Sequence, residues 1–101
     1  MKYGLPENTI NVIHQVFVLF PEVEKVLMYG SRAKGNFKNG SDIDLSLVGE
    51  KLTLSLQNKI ESAIDALLLP YTFDFSIFHQ ISNPDLISHI ERVGIVFYQK
   101  K

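Results

Sequence analysis

Asp42 and Asp44 stand two residues apart in the run DIDLSLV, where Ile43, Leu45 and Leu47 alternate with Asp42, Asp44 and Ser46. Strict alternation predicts a strand, and residues i and i+2 of a strand project from one face, about 6–7 Å apart at the backbone. Two carboxylates so placed repel each other when both are ionised. A divalent cation removes the conflict. The side chains can converge on the oxygen-ligand sphere of one or two magnesium ions, which in paired sites sit about 3.5–4 Å apart. A second alternating run, YTFDFSIF, sets Thr72, Asp74 and Ser76 opposite Tyr71, Phe73, Phe75 and Ile77. If the two strands are neighbours, Asp74 brings a third carboxylate to the same face; taken alone, each pattern also suits a plain solvated face.

Gly30 and Ser31 supply different chemistry. They follow VEKVLMY, an apolar run that predicts a buried strand over 23–29. A glycine at its end lets the backbone turn sharply and approach a ligand with no Cβ in the way. Ser31 to Lys34 predicts a short helical turn, whose free N–H groups and positive dipole end suit a phosphate. Ser31 adds a hydroxyl, and Arg32 and Lys34 are close enough to reach further phosphate oxygens. The Walker pattern is absent.

These residues need a scaffold, and the rest of the chain predicts one. Ile10, Ile13, Val16, Phe17 and Phe20 recur at helical spacing between Pro6 and Pro21. A second helix is expected over 53–69, with Leu56, Ile60, Ala63, Ile64 and Leu67 on one face and Pro70 beyond it. Ser82 or Asn83 can cap a third, from Pro84 to about Val93, and Ile95 to Tyr98 closes the chain as a strand. The expected order is α-β-(short α)-β-α-β-α-β: a single α/β (α+β) domain over 1–101, with a mixed sheet of about four strands and helices packed on it.

The segment GSRAKGNFKNGSDID holds Gly30-Ser31 and Asp42-x-Asp44 with ten residues between Ser31 and Asp42. This resembles the G-S-x(10)-D-x-D signature of the DNA polymerase beta-like nucleotidyltransferase superfamily, complete at Gly30, Ser31, Asp42 and Asp44. Arg32-Ala33-Lys34-Gly35 and Ser41-Asp42-Ile43-Asp44-Leu45 look like its minimal nucleotidyltransferase branch, whose members have about this length. The resemblance implies the polymerase-beta-like fold, with Asp42, Asp44 and Asp74 as catalytic, metal-holding carboxylates for two magnesium ions. It implies nucleotide contacts at Gly30, Ser31, Arg32, Lys34 and Ser41, with ATP or another NTP as donor.

Minimal nucleotidyltransferases pair with HEPN-domain proteins, many of them ribonuclease toxins. The implied role is therefore an antitoxin that transfers AMP to a hydroxyl, often a tyrosine, of its cognate HEPN toxin. Two alternatives stay open: a binding antitoxin that neutralises its partner by contact, and a small-molecule nucleotidyltransferase. The second usually needs an added acceptor domain.

Composition narrows the field further. Apolar residues make up 46% of the chain and charged residues 21%, enough for a buried core. A net charge of −1 gives no global attraction to nucleic acid or an anionic membrane, although Arg32, Lys34 and Lys38 cluster. No apolar run reaches spanning length, the N-terminal residues form no leader-like segment, and cysteine is absent. A cytoplasmic protein is expected, with homo- or hetero-oligomers open. His14, on the helix side expected to be polar, His79 and His89 share no zinc-ligand spacing. All three are expected to be structural or solvent-facing, and His79, after the Asp74 strand, is the one that could approach the site. Tyr3, Tyr71 and Tyr98 are expected in packing, and Tyr29 at the strand end beside the nucleotide pocket.

Overall fold

A computed structural model describes residues 1–101. Helix α1 (Glu7–Val18) presents Ile13, Val16 and Phe17 to the interior, leading into β1 (Lys25–Tyr29). A single helical turn, α2 (Ser31–Lys34), follows, and a loop leads to β2 (Ile43–Val48). Helix α3 (Leu54–Asp65) begins at Thr53, whose hydroxyl accepts from the Leu56 amide at 3.2 Å. Strand β3 (Phe73–Ile77) and a short 3-10 turn (Phe78–Gln80) precede α4 (Pro84–Val93). Of the two residues offered as a cap for α4, Asn83 does it, accepting from Asp85 and Leu86. Strand β4 (Ile95–Gln99) ends the order.

The strands form one mixed sheet in the order β3-β2-β1-β4. β1 is antiparallel to β2 and β4, whereas β2 and β3 run parallel, joined by α3 as the crossover. Period-two alternation divides the sheet by face. Val26, Met28, Ile43, Leu45, Leu47, Phe75 and Ile77 meet α1 and α3 in a sixteen-residue core. The opposite face carries Tyr29, Asp44, Ser46, Asp74 and Ser76, and α4 packs against β1 there through His89 and Tyr29.

Two expectations are corrected. The helix expected over 53–69 stops at Asp65, because Leu68 adopts a left-handed φ of 54° and Leu69 precedes Pro70, a position that disfavours helical backbone. His14 is not on a polar side: its ring packs edge-on against Phe97 and Tyr98, with Nε2 buried and unpaired. No helix is long and apolar enough to cross a membrane.

Candidate functional site

Strand pairing sets the carboxylates. Asp44 is the registered partner of Tyr29 on one side and of Asp74 on the other, so one row across three strands carries phenol, carboxylate and carboxylate. In the next row Leu27 pairs with Ser46 and Ser46 with Ser76; Ser76 donates its hydroxyl to Ser46 at 3.1 Å, and Ser46 is fully buried. Asp42 lies just before β2 and is exposed, as is Asp74, whereas Asp44 is half-buried between them. Burial pushes the Asp44 carboxyl above its ordinary value; the charges of Asp74 and Asp42 add to the rise, and His89 opposes it. The Tyr29 phenol is also raised, first by burial, with Ser76 pulling the other way and Asp74 and Asp44 adding to the rise.

Gly30 is the tightest point of the site. Its φ is 80°, a left-handed value that favours glycine, and a Cβ there would collide with the Asp44 carboxylate. The strand therefore turns directly over Asp44. The first helical bond of α2 runs from the Lys34 amide to the Gly30 carbonyl at 3.2 Å, leaving the amides of Ser31, Arg32 and Ala33 outside the helical ladder. Lys34 is exposed beside them.

Arg32 and Ser41 are engaged elsewhere. Arg32 is only 3% exposed, and its guanidinium donates to the carbonyls of Ser41 and Tyr3 instead of standing free beside the turn. Ser41 uses its hydroxyl to accept from the Lys38 amide at 2.8 Å. His79 is exposed on the 3-10 turn; His89 is the histidine at the site, edge-on to Tyr29 with ring centroids 6.3 Å apart. A signal for it existed in the sequence: His89 lies three residues after Leu86 and beside Ile90, on the sheet-facing stripe of α4.

Asp42, Asp44 and Asp74 do not close into a ready-made three-ligand cage. Their chemistry nevertheless suits a hard divalent cation: the donors are all oxygen, and two neighbouring charges work against ionisation of Asp44, a conflict that a cation removes. A cavity of about 640 Å³ lies elsewhere, lined by His14, Val18, Val96 and Phe97 and by none of the three carboxylates.

The family model for "Polymerase beta, Nucleotidyltransferase" matches residues 11–101. The chain belongs to this family. The matched span of this nucleotidyltransferase includes the Gly30 turn and all three carboxylates. No curated protein is significantly similar to it. Among solved structures, it is similar to a toxin–antitoxin complex with AMP-PNP at 17% identity and a TM-score of 0.72, over 96% of this chain and 76% of that one. A toxin–antitoxin MntA-HepT structure matches at 14% identity and a TM-score of 0.67, over 94% of this chain and 74% of the other. A tri-AMPylated Shewanella oneidensis HEPN toxin in complex with MNT antitoxin matches at 14% and 0.66, over 93% and 72%. Several of its structural neighbours are thus toxin–antitoxin structures, one of them described as holding an MNT antitoxin; at such identities the likeness is one of fold.

Proposed function

We propose that this nucleotidyltransferase transfers AMP from ATP to a hydroxyl, a tyrosine by preference, of a cognate HEPN-domain toxin, and thereby acts as its antitoxin in the cytoplasm. The observation that carries the reading is the packing of Gly30 onto Asp44 while Asp44 pairs in register with Asp74. It sets a turn able to cradle phosphate directly over carboxylates able to hold a cation. The AMP-PNP and tri-AMPylated toxin in the neighbouring complexes support the choice of nucleotide and acceptor.

Asp42, Asp44 and Asp74 would hold magnesium, two ions in the full site, which when bound neutralises triphosphate charge. The amides beyond Gly30 and the Ser31 hydroxyl hold phosphate oxygens, and exposed Lys34 faces the departing charge. The acceptor hydroxyl attacks the α-phosphorus; its new P–O bond forms as the α–β bridging bond breaks and pyrophosphate leaves. Asp74, exposed on the edge strand of the sheet, takes the hydroxyl proton. Positioning and charge neutralisation supply most of the rate.

The test is to incubate the chain with ATP, magnesium and the protein encoded beside it, then weigh that protein. A gain of one or more AMP units, abolished by a chelator, is expected. An unchanged mass, with the partner nonetheless silenced, would replace transfer by neutralisation through contact.

A further inference from the structure

Arg32 joins four segments of the chain. From α2 its Nη1 donates to the Tyr3 carbonyl at 2.8 Å, while Nε and Nη2 both donate to the Ser41 carbonyl at 3.1 and 3.0 Å. Its guanidinium carbon lies 5.3 Å from the ring centres of Phe37 and of Tyr71, which precedes β3. Carbonyl dipoles and aromatic faces thus stabilise a buried cation.

Ser41 is the residue before Asp42, and its carbonyl is fixed by Arg32. On the other side, the Ile43 amide donates to the Thr72 carbonyl at 2.8 Å. The exposed Asp42 is therefore held between two pinned peptide groups, one of them pinned by Arg32. The N-terminal turn completes the device. Lys2 and Leu5 exchange backbone bonds of 3.2 and 2.7 Å across Tyr3 and Gly4, which adopt φ values of 57° and 73°. A left-handed tyrosine is unfavourable on its own, and the fully buried Leu5 anchors the turn in the core. A Cβ on Gly4 would collide with the Phe37 ring, so the turn packs directly on the loop that Arg32 organises.

We propose that Arg32 and the turn Lys2–Leu5 form a strut that sets the position of Asp42 for cation binding, making Arg32 a positioning residue and not a phosphate ligand. The inference rests on the carboxylates holding a divalent cation. Lysine cannot replace the strut, because one ammonium cannot span the Ser41 and Tyr3 carbonyls while stacking on two rings.

The test uses the full chain as wild type, Arg32→Lys and Gly4→Ala, with manganese(II) as probe and no nucleotide present. Amide hydrogen exchange over residues 36–43 is measured in parallel. Both variants are expected to keep their circular dichroism, weaken manganese binding by about tenfold or more, and speed exchange at the Ile43 amide by about tenfold. If Arg32→Lys does not fold, Gly4→Ala carries the test alone, since it keeps the arginine while its Cβ crowds Phe37 and Arg32 Nη1 and so displaces the turn. Unchanged manganese affinity and exchange, with a raised KM for ATP when Arg32→Lys is assayed separately with nucleotide, would overturn the strut and return Arg32 to the phosphates. A wild type that binds no manganese would defeat the cation reading itself; the exchange data would then decide whether the strut exists.

Discussion

The two faces of this sheet are built by the same strands under opposite constraints. On the α1/α3 face, Val26, Met28, Ile43, Leu45 and Leu47 are fully buried and entirely apolar, so burial alone stabilises them. On the α4 face the intervening residues include Tyr29, Asp44, Ser46, Asp74 and Ser76, and burial raises the Asp44 carboxyl and the Tyr29 phenol there away from their charged forms. One face holds the fold; the other is held by it at a cost. Replacing a carboxylate of the α4 face should therefore cost activity and not stability, whereas replacing a core residue should cost stability and not activity.

Asp44→Asn should have the largest effect. Transfer is expected to fall by about a thousandfold or more, while the melting temperature in chelator at neutral pH rises, because the burdened carboxylate is gone; calorimetry and a transfer assay on one sample check both signs. Leu45→Ala, one residue along and on the other face, should cost about 2–5 kcal/mol of stability in denaturant titration. Its transfer rate per folded molecule should be preserved. Ser46→Ala removes the buried acceptor of the Ser76 hydroxyl and should cost about 1 kcal/mol.

The smallest effect is a pH dependence. The folded Asp44 binds its proton more tightly than the unfolded chain, whose reference value is 3.8. Its contribution to stability is full below that value and is lost as pH rises through the higher folded one. In chelator, Asp44→Asn should lack this decline, and identical stability profiles for the two proteins would contradict it.

Where pattern and physics coincide, the sequence is readable. Alternation over 42–48 and 71–78 assigns Asp44 and Asp74 to one face, and their register pairing completes that assignment. The ten-residue spacing from Ser31 to Asp42 is likewise local information. Arg32 was not readable in this way: its partners Tyr3 and Ser41 lie 29 and 9 residues away, and an arginine after a glycine-serine turn carries the same local signal whether it faces phosphate or carbonyls. His89 outranks His79 for a similar reason. Its place on the sheet-facing stripe of α4 is legible from helical spacing, but that α4 crosses to the face of β1 that carries the carboxylates is not. The end of α3 depends on Leu68 turning left-handed before a proline, against the helix preference of the leucines around it.

The most direct test of the account is which phosphorus of ATP reaches the acceptor. The partner toxin is incubated with this chain, magnesium and ATP radiolabelled at the α position in one sample and at the γ position in another. The account requires α-label on the toxin and γ-label in released pyrophosphate, both lost with Asp44→Asn. γ-label on the toxin, or α-label transferred undiminished by Asp44→Asn, would contradict it.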